Sequence, residues 1–222
     1  MKTFRRMLVL AITACAICGT LTACGKKNKG ADKAAADKKE EVKLDEAAVE
    51  KSKALGVKFG AKDRSLNDGS MVVGEYAIPD GVTQIGKNAF AYNSKLTAVK
   101  IPASVKIIET HAFAHCTGLT AVVIPEKVTN ISGCAFQQSG VKSVVISKGV
   151  TRIEYNAFYG CEALQSVVIP EGVTQIESQV FMNCKNLKNV VIPKSVTKMG
   201  KDVFKGAGCE EQVKKDYPHL FK

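Results

Sequence analysis

The chain has 222 residues, of which 45% are hydrophobic and 6% aromatic, and it contains no tryptophan. This length accommodates one ordinary domain with flanking segments, and the hydrophobic content is sufficient to build a core. The formal charge is +11, but no block rich in Lys and Arg occurs in residues 59–222. We therefore expect no nucleic-acid partner.

Residues 1–23 have the layout of a secretory signal peptide: a charged start, a short apolar run and then small residues before Cys24. The apolar run is too short for a lasting transmembrane helix. The sequence Leu-Thr-Ala-Cys that ends at Cys24 resembles the lipobox of bacterial lipoproteins. This resemblance implies cleavage before Cys24, lipidation of its thiol, and an exported protein anchored to the bacterial membrane or cell surface. An ordinary signal peptide with a chance cysteine is the alternative.

Residues 24–55 are dominated by Lys, Ala, Asp and Glu. Such a composition buries too little apolar surface to offset the entropy of ordering, so we expect the lipidated Cys24 to be followed by a flexible, charged tether. Residues 40–55 also have helical propensity. They form either a helix packed on the first repeat or a solvated linker. We expect residues 56–77 to form an N-terminal cap.

Residues 78–208 contain about six repeats of 22–23 residues, a period typical of solenoid proteins. An Ile, followed by Pro in five of six copies, opens each repeat: Ile78, Ile101, Ile124, Ile146, Ile169 and Ile192. A phenylalanine column keeps the same spacing: Phe90, Phe113, Phe136, Phe158, Phe181 and Phe204. One such unit cannot close a core, but stacked units align these columns into a continuous interior.

Each repeat predicts two local structures. The segment L-x-x-V-x-I is rich in β-branched residues and predicts a short strand, which the following Pro ends because it lacks an N–H group. The segment x-x-x-A-F predicts one helical or 3-10 turn. Stacked copies then form a parallel sheet on one face of the solenoid.

The full pattern, I-P-x-x-V-T-x-I-x-x-x-A-F-x-x-C-x-x-L-x-x-V, resembles the leucine-rich repeats of BspA-like surface proteins, a type also seen in treponemal repeat proteins. The resemblance implies an α/β fold: a right-handed solenoid with a short-stranded parallel sheet on one face and short helical or 3-10 turns on the other. It also implies cell-surface display and adhesion. Residues 209–222 predict a C-terminal cap helix, in which Val213, Tyr217, Leu220 and Phe221 cover the last repeat. A frayed tail is the alternative.

The period of two along a strand predicts which residues point outward. One predicted outward row consists of Lys100, Val123, Val145, Val168 and Val191. A second row beside it consists of Thr97, Thr120, Lys142, Gln165 and Lys188. An exposed apolar stripe bordered by Lys and Thr is typical of a protein-binding face. We therefore expect both rows to bind a macromolecule of a host or neighbouring cell, and a protein is the expected class of partner. Alternatively, Val is there because it suits a parallel strand.

Cys116, Cys161 and Cys184 share one column with Asn93, Ser139 and Ala207. These substitutions indicate a small slot. Cysteines stacked on neighbouring coils point the same way, which is poor geometry for a disulfide, so we expect free buried thiols. Cys134 and Cys209 lie outside this column and have no predicted partner.

His111, His115 and Cys116 have a spacing that on a helix could hold a metal or serve a cysteine nucleophile. The turn predicted here is too short to align both histidines, and no further ligand recurs nearby. We therefore expect no metal, cofactor or catalytic residue, and interpret the chain as a non-enzymatic, adhesin-like binding module. One alternative is a structural envelope lipoprotein without a specific ligand. The other is a metal or thiol enzyme that uses His111, His115 and Cys116.

Overall fold

The computed structural model describes residues 43–60, 62 and 64–221. The predicted signal peptide, Cys24 and the first part of the predicted tether therefore lie outside the described residues. Within the described part of the chain, no helix is long and apolar enough to cross a membrane.

The repeats form stacked coils, and the longer strand of each coil is the predicted Leu-x-x-Val-x-Ile segment. These strands are β3 (Gly74–Ala77), β5 (Leu96–Lys100), β7 (Ala121–Ile124), β9 (Ser143–Ile146), β11 (Ser166–Val168) and β13 (Asn189–Val191). Their pairing is parallel, β3 with β5 and then β7 to β13 in order. Between β5 and β7 the amide of Thr120 donates to the Thr97 carbonyl at 3.2 Å. We call this side of the solenoid the long-strand face.

A second sheet, which the sequence analysis did not predict, lies on another side of each coil. It is built from β1 (Lys58–Phe59), β2 (Ser65–Asp68), β4 (Gln84–Ile85), β6 (Ile107–Ile108), β8 (Asn130–Ile131), β10 (Arg152–Ile153), β12 (Gln175–Ile176) and β14 (Lys198–Met199). Apart from the antiparallel β1–β2 pair, its strands are parallel and follow coil order. We call it the short-strand sheet. Strands of two residues are too short to give a periodic sequence signal.

The Ala-Phe segments close the third side of each coil as turns, not as the predicted helical or 3-10 turns. Alternate amides bond to the next coil: Phe113 donates to Ala135 and His115 to Gln137, both at 2.8 Å. Ala114, between them, donates back to His111 at 3.1 Å. This alternation places two residues per coil in the left-handed region, as at His111 (φ 59°) and His115 (φ 58°). A helix would direct all its amides along the chain, whereas these turns link neighbouring coils.

The core follows the phenylalanine column through the solenoid. All six rings are 0 or 1% exposed. Neighbouring ring centroids lie 5.1 to 5.5 Å apart, with interplanar angles of 4° to 11°. Tyr76 closes the N-terminal end of this stack, tilted by 52° against Phe90. The predicted leucine-rich-repeat solenoid of about six coils is thereby confirmed.

A helix precedes the first coil. Helix α1 (Glu46–Ala54) begins at Asp45, whose carboxylate accepts the Ala48 amide at 3.0 Å. It buries Val49 and Ser52. Of the two alternatives for residues 40–55, the described residues adopt the helix, so regular structure extends into the segment assigned to the tether.

Residues 56–77, expected to form an irregular cap, build a degenerate coil in register with the repeats. Leu66 pairs with Ile85, and Tyr76 pairs with Val99. Gly69 replaces a bulkier residue at the turn, where an added Cβ would lie 2.2 Å from a ring carbon of Phe90. The glycine therefore gives Phe90 the room to end the stack.

The C-terminal segment packs against the last coil. Helix α2 (Glu210–Asp216) buries Val213, and a 3-10 turn follows at Pro218–Leu220. The hydroxyl of Tyr217 accepts the Ile192 amide at 3.2 Å, just beyond strand β13. Phe221, in contrast, is 40% exposed and does not cover the core.

Candidate binding face

The long-strand face presents the predicted apolar row to solvent. Val123 is 59% exposed, Val145 and Val168 are 37% exposed, and Val191 is 46% exposed. Val123 pairs with Val145, and Val168 pairs with Val191, on adjacent strands. We call these four residues the valine stripe. Lys100, at the corresponding position of β5, is also exposed.

The residues between the outward valines point inward, as the period of two requires. Val122, Val144 and Val167 are only 2 to 7% exposed. The inner strands β9 and β11 are therefore anchored from below by the core and on both sides by paired strands. The outward side chains are held on a rigid surface, and little conformational entropy is lost when a partner covers them.

The second predicted row is exposed throughout: Thr97, Thr120, Lys142, Gln165 and Lys188. Next to it lies a shallow hollow of about 540 Å³, which we call the lysine hollow. It is lined by Lys142, Ala163, Gln165, Asn186, Lys188 and Asn189. Sequence reasoning placed Lys142, Gln165 and Lys188 on the face but did not find the hollow, because Ala163 and Asn186 come from the turns before the strands.

The short-strand sheet carries polar side chains that bond to one another. Glu109 accepts from Gln84 at 3.0 Å, and Glu177 forms an ion pair with Arg152. Glu154 accepts from the Asn130 amide group at 2.6 Å and from the Gly133 backbone amide at 2.7 Å. These bonds between side chains of neighbouring coils stabilise the stack. A shallow hollow of about 270 Å³ also lies on this side, near Tyr155 and Lys198.

The cysteine column is buried and its thiols are unpaired, as predicted. All five cysteines of the described residues are free. Burial raises the pKa of the Cys116 thiol to about 12 and that of Cys161 to about 11, and it also raises the pKa of Cys184. The three thiols donate to backbone carbonyls one coil back, at 2.9 to 3.1 Å. Protonated thiols bonded in this way are poor nucleophiles.

The structure places His111, His115 and Cys116 in different surroundings. Both histidines occupy left-handed turn positions, and the His115 ring stacks on Tyr92 with centroids 4.4 Å apart. The Cys116 thiol faces the core, where it bonds to Phe90. Among the described residues, no group of three or more His, Cys, Asp or Glu is placed to hold a metal ion.

The repeat geometry agrees with a known repeat family. The family model described as the BspA type leucine-rich-repeat region matches residues 79–210 in six copies. The chain belongs to the BspA-type leucine-rich-repeat family. BspA-type repeats form solenoids, whose extended surfaces are typically used for binding rather than catalysis. No curated protein matches the chain.

Two solved structures illustrate the extent of the similarity. A leucine-rich cell surface protein of Faecalibacterium prausnitzii is 31% identical over 60% of this chain and 45% of its own, with a TM-score of 0.50. A leucine-rich-repeat protein of T. pallidum is 20% identical over 77% of this chain and 95% of its own, with a TM-score of 0.54. The second likeness concerns the fold alone. The chain spans less than half the length of the F. prausnitzii protein.

Proposed function

We propose that this chain is an exported, lipid-anchored, adhesin-like module that binds a protein of a host or neighbouring cell through its long-strand face. The observation that carries the proposal is the valine stripe, four aligned valines that are each at least 37% exposed. An exposed apolar stripe bordered by polar residues is typical of an interaction surface. The short-strand sheet offers no comparable row, because its outward side chains are mostly polar and bonded to their neighbours.

The proposed export and anchoring depend on the N-terminal residues. The lipobox-like sequence before Cys24 favours a lipid anchor, and the similarity to the F. prausnitzii cell surface protein supports export. Acyl chains contribute about 0.8 kcal/mol per buried methylene, so two or more chains give a stable anchor. Replacing Cys24 with Ala should release the protein from the membrane fraction. Cys18→Ala, within the segment expected to be removed, should leave it there.

The binding test is a screen of the full chain against extracellular-matrix proteins, plasma proteins and glycans. The informative variant combines Val145→Lys with Val168→Lys. Lysine already occupies this row at Lys100, so the coil accepts the substitution. Two charges in the centre of an apolar contact are costly to desolvate, and we expect at least about tenfold weaker binding.

The matched control combines Ile107→Lys with Thr129→Lys on and beside the short-strand sheet. It adds the same two charges at exposed positions. Lysine already occupies both of those columns too, at Lys198 and Lys106. Equal loss in both double variants would reduce the effect to net charge. Binding that neither variant alters would place the site in the turns or caps. A screen without any partner would favour the structural envelope lipoprotein.

A further inference from the structure

The side chains that line the lysine hollow indicate the chemistry of the partner. Lys142, Gln165 and Lys188 each precede one of three adjacent paired strands. The Gln165 amide donates to the Lys142 carbonyl at 3.2 Å, and the Lys188 amide donates to the Gln165 carbonyl at 3.0 Å. The three side chains therefore start from one aligned row, with the two lysines two strand spacings apart, roughly 10 Å.

The hollow is lined by cationic and amide side chains together with one alanine, and no carboxylate lines it. Neither Lys142 nor Lys188 forms an ion pair with any described residue, whereas several other exposed lysines, such as Lys185 and Lys214, do. Glu162 lies next to Ala163 in the chain, but its carboxylate is bound to Lys185 at 2.6 Å. Two ammonium groups with amide donors between them and no internal counter-charge are well suited to bind an anion.

The strands beside the hollow supply no counter-charge for the two lysines. From β5 to β13, no strand residue is acidic. The only acidic residue on the long strands is Glu75, in β3 at the N-terminal end. The C-terminal part of the long-strand face is therefore cationic and apolar at once.

We infer that the lysine hollow binds carboxylates of a protein partner whose contacting segment combines acidic and apolar side chains. Lys142 lies just before β9 and Val145 lies within it, three residues or roughly 10 Å further along the chain, so a partner seated on the valine stripe also reaches the hollow. An anionic polysaccharide would satisfy the lysines but has no apolar side chains for the stripe. The inference rests on the proposed function, because it assigns the partner of that same face.

The test uses a labelled, soluble peptide that alternates Glu and Leu, with the full chain in mild detergent and fluorescence polarisation as the readout. The key variant combines Lys142→Gln with Lys188→Gln. Glutamine already fills this row at Gln165, so the fold accepts it. We expect about tenfold weaker binding of the Glu-Leu peptide, because two charge-assisted contacts are lost. Binding of the wild type should weaken as salt is added.

The matched control combines Lys148→Gln with Lys194→Gln. These lysines are also exposed and two coils apart, but they follow the C-terminal ends of strands β9 and β13. The control therefore removes the same charge with the same spacing from the opposite end of the strands. It should change binding by less than about twofold. Unchanged melting temperatures should accompany both double variants. Equal losses in the two variants would overturn the inference in favour of unspecific attraction.

Two further probes decide the ligand chemistry. A peptide with Gln in place of Glu should bind about tenfold more weakly, and equal affinity would overturn a carboxylate site. The second probe is a set of heparin fragments. If they bind more tightly than the Glu-Leu peptide, and if Val145→Lys with Val168→Lys leaves their binding unchanged, the partner is a glycan.

No saturable binding of the Glu-Leu peptide up to about millimolar concentration would also overturn the inference. If a protein from the screen depends on the valines but not on Lys142 and Lys188, the proposed function stands and this inference fails.

Discussion

The two sheets of the solenoid are made by the same repeats, yet they differ in what their outward side chains contact. On the short-strand sheet, Glu109, Glu154 and Glu177 bond to residues of the coil before. On the long-strand face, the valines have no covering layer and Lys142 and Lys188 have no ionic partner among the described residues. The first surface stabilises the solenoid itself, whereas the second is available to another molecule.

A substitution in the buried phenylalanine column should lower the stability of the protein more than any surface change. Phe136 is fully buried and stacks between Phe113 and Phe158 at 5.2 Å on each side. Phe136→Ala leaves a cavity, and we expect it to lower the free energy of unfolding by about 3–5 kcal/mol. Urea unfolding followed by circular dichroism measures this, and both sheets should be lost together.

The control for this core prediction is Phe204→Ala. Phe204 ends the stack and has one stacked neighbour, Phe181, at 5.4 Å. Phe204→Ala should therefore lower the free energy of unfolding by less than Phe136→Ala does. Equal losses would mean that the stack does not act as a continuous core.

Substitutions of polar side chains should have smaller effects on stability, and these effects should differ between the two sheets. Glu154→Ala leaves the amide of Gly133 and the side chain of Asn130 without their acceptor. We expect a loss of about 1–3 kcal/mol in the free energy of unfolding, because these donors are partly buried. Glu154→Gln, which keeps one acceptor, should lie between the wild type and the alanine variant.

The comparison variant on the other sheet is Lys142→Gln. Its side chain is exposed and has no ionic partner among the described residues, so the change should stay within about 0.5 kcal/mol. Similar costs for Glu154→Ala and Lys142→Gln would remove the distinction between a self-contained sheet and an open one.

The sequence predicted the long-strand face well because its residues carry strong, repeated signals. The Phe column predicts a buried ring in every repeat. The alternation seen at Val144 and Val145 predicts one inward and one outward side chain in each strand. The outward row could therefore be assigned before the structure was known. What binds there could not be assigned, because exposure alone does not specify a ligand.

The sequence signals for the rest of the coil are weaker. The short-strand sheet depends on two residues per coil. The left-handed turn positions did carry a signal, since Asn88, Asn156 and Asp202 occupy one of them and Gly160 and Gly206 the other. Asn, Asp and Gly tolerate that conformation better than other residues. His111 lies in the first of these columns, so its place reflects the turn rather than a metal site.

The degenerate first coil escaped prediction for a different reason. Its turn has Gly69 where the later coils have larger side chains, and Tyr76 takes the place of a strand valine. The pairings of Leu66 with Ile85 and of Tyr76 with Val99 reveal its register. A coil that ends a stack lacks one neighbour, and its sequence therefore departs from the repeat.

The buried cysteine column should make the stability of the protein sensitive to alkaline pH. In the unfolded chain the thiols ionise near pH 9, whereas burial holds the folded pKa of Cys161 at about 11. Above pH 9 the unfolded chain loses protons that the folded chain keeps. Stability should therefore be full below about pH 9 and fall as the pH rises towards 11, by roughly 1 kcal/mol per pH unit for each thiol.

Cys161→Ser tests this without emptying the slot, since Ser139 occupies the same column. Urea unfolding at a series of alkaline pH values should give a shallower decline for the variant than for the wild type. Because the thiol faces inward, the variant should retain the peptide affinity of the long-strand face. An unchanged decline would show that other groups determine the alkaline stability. A changed affinity would show that the open face depends on the slot beneath it.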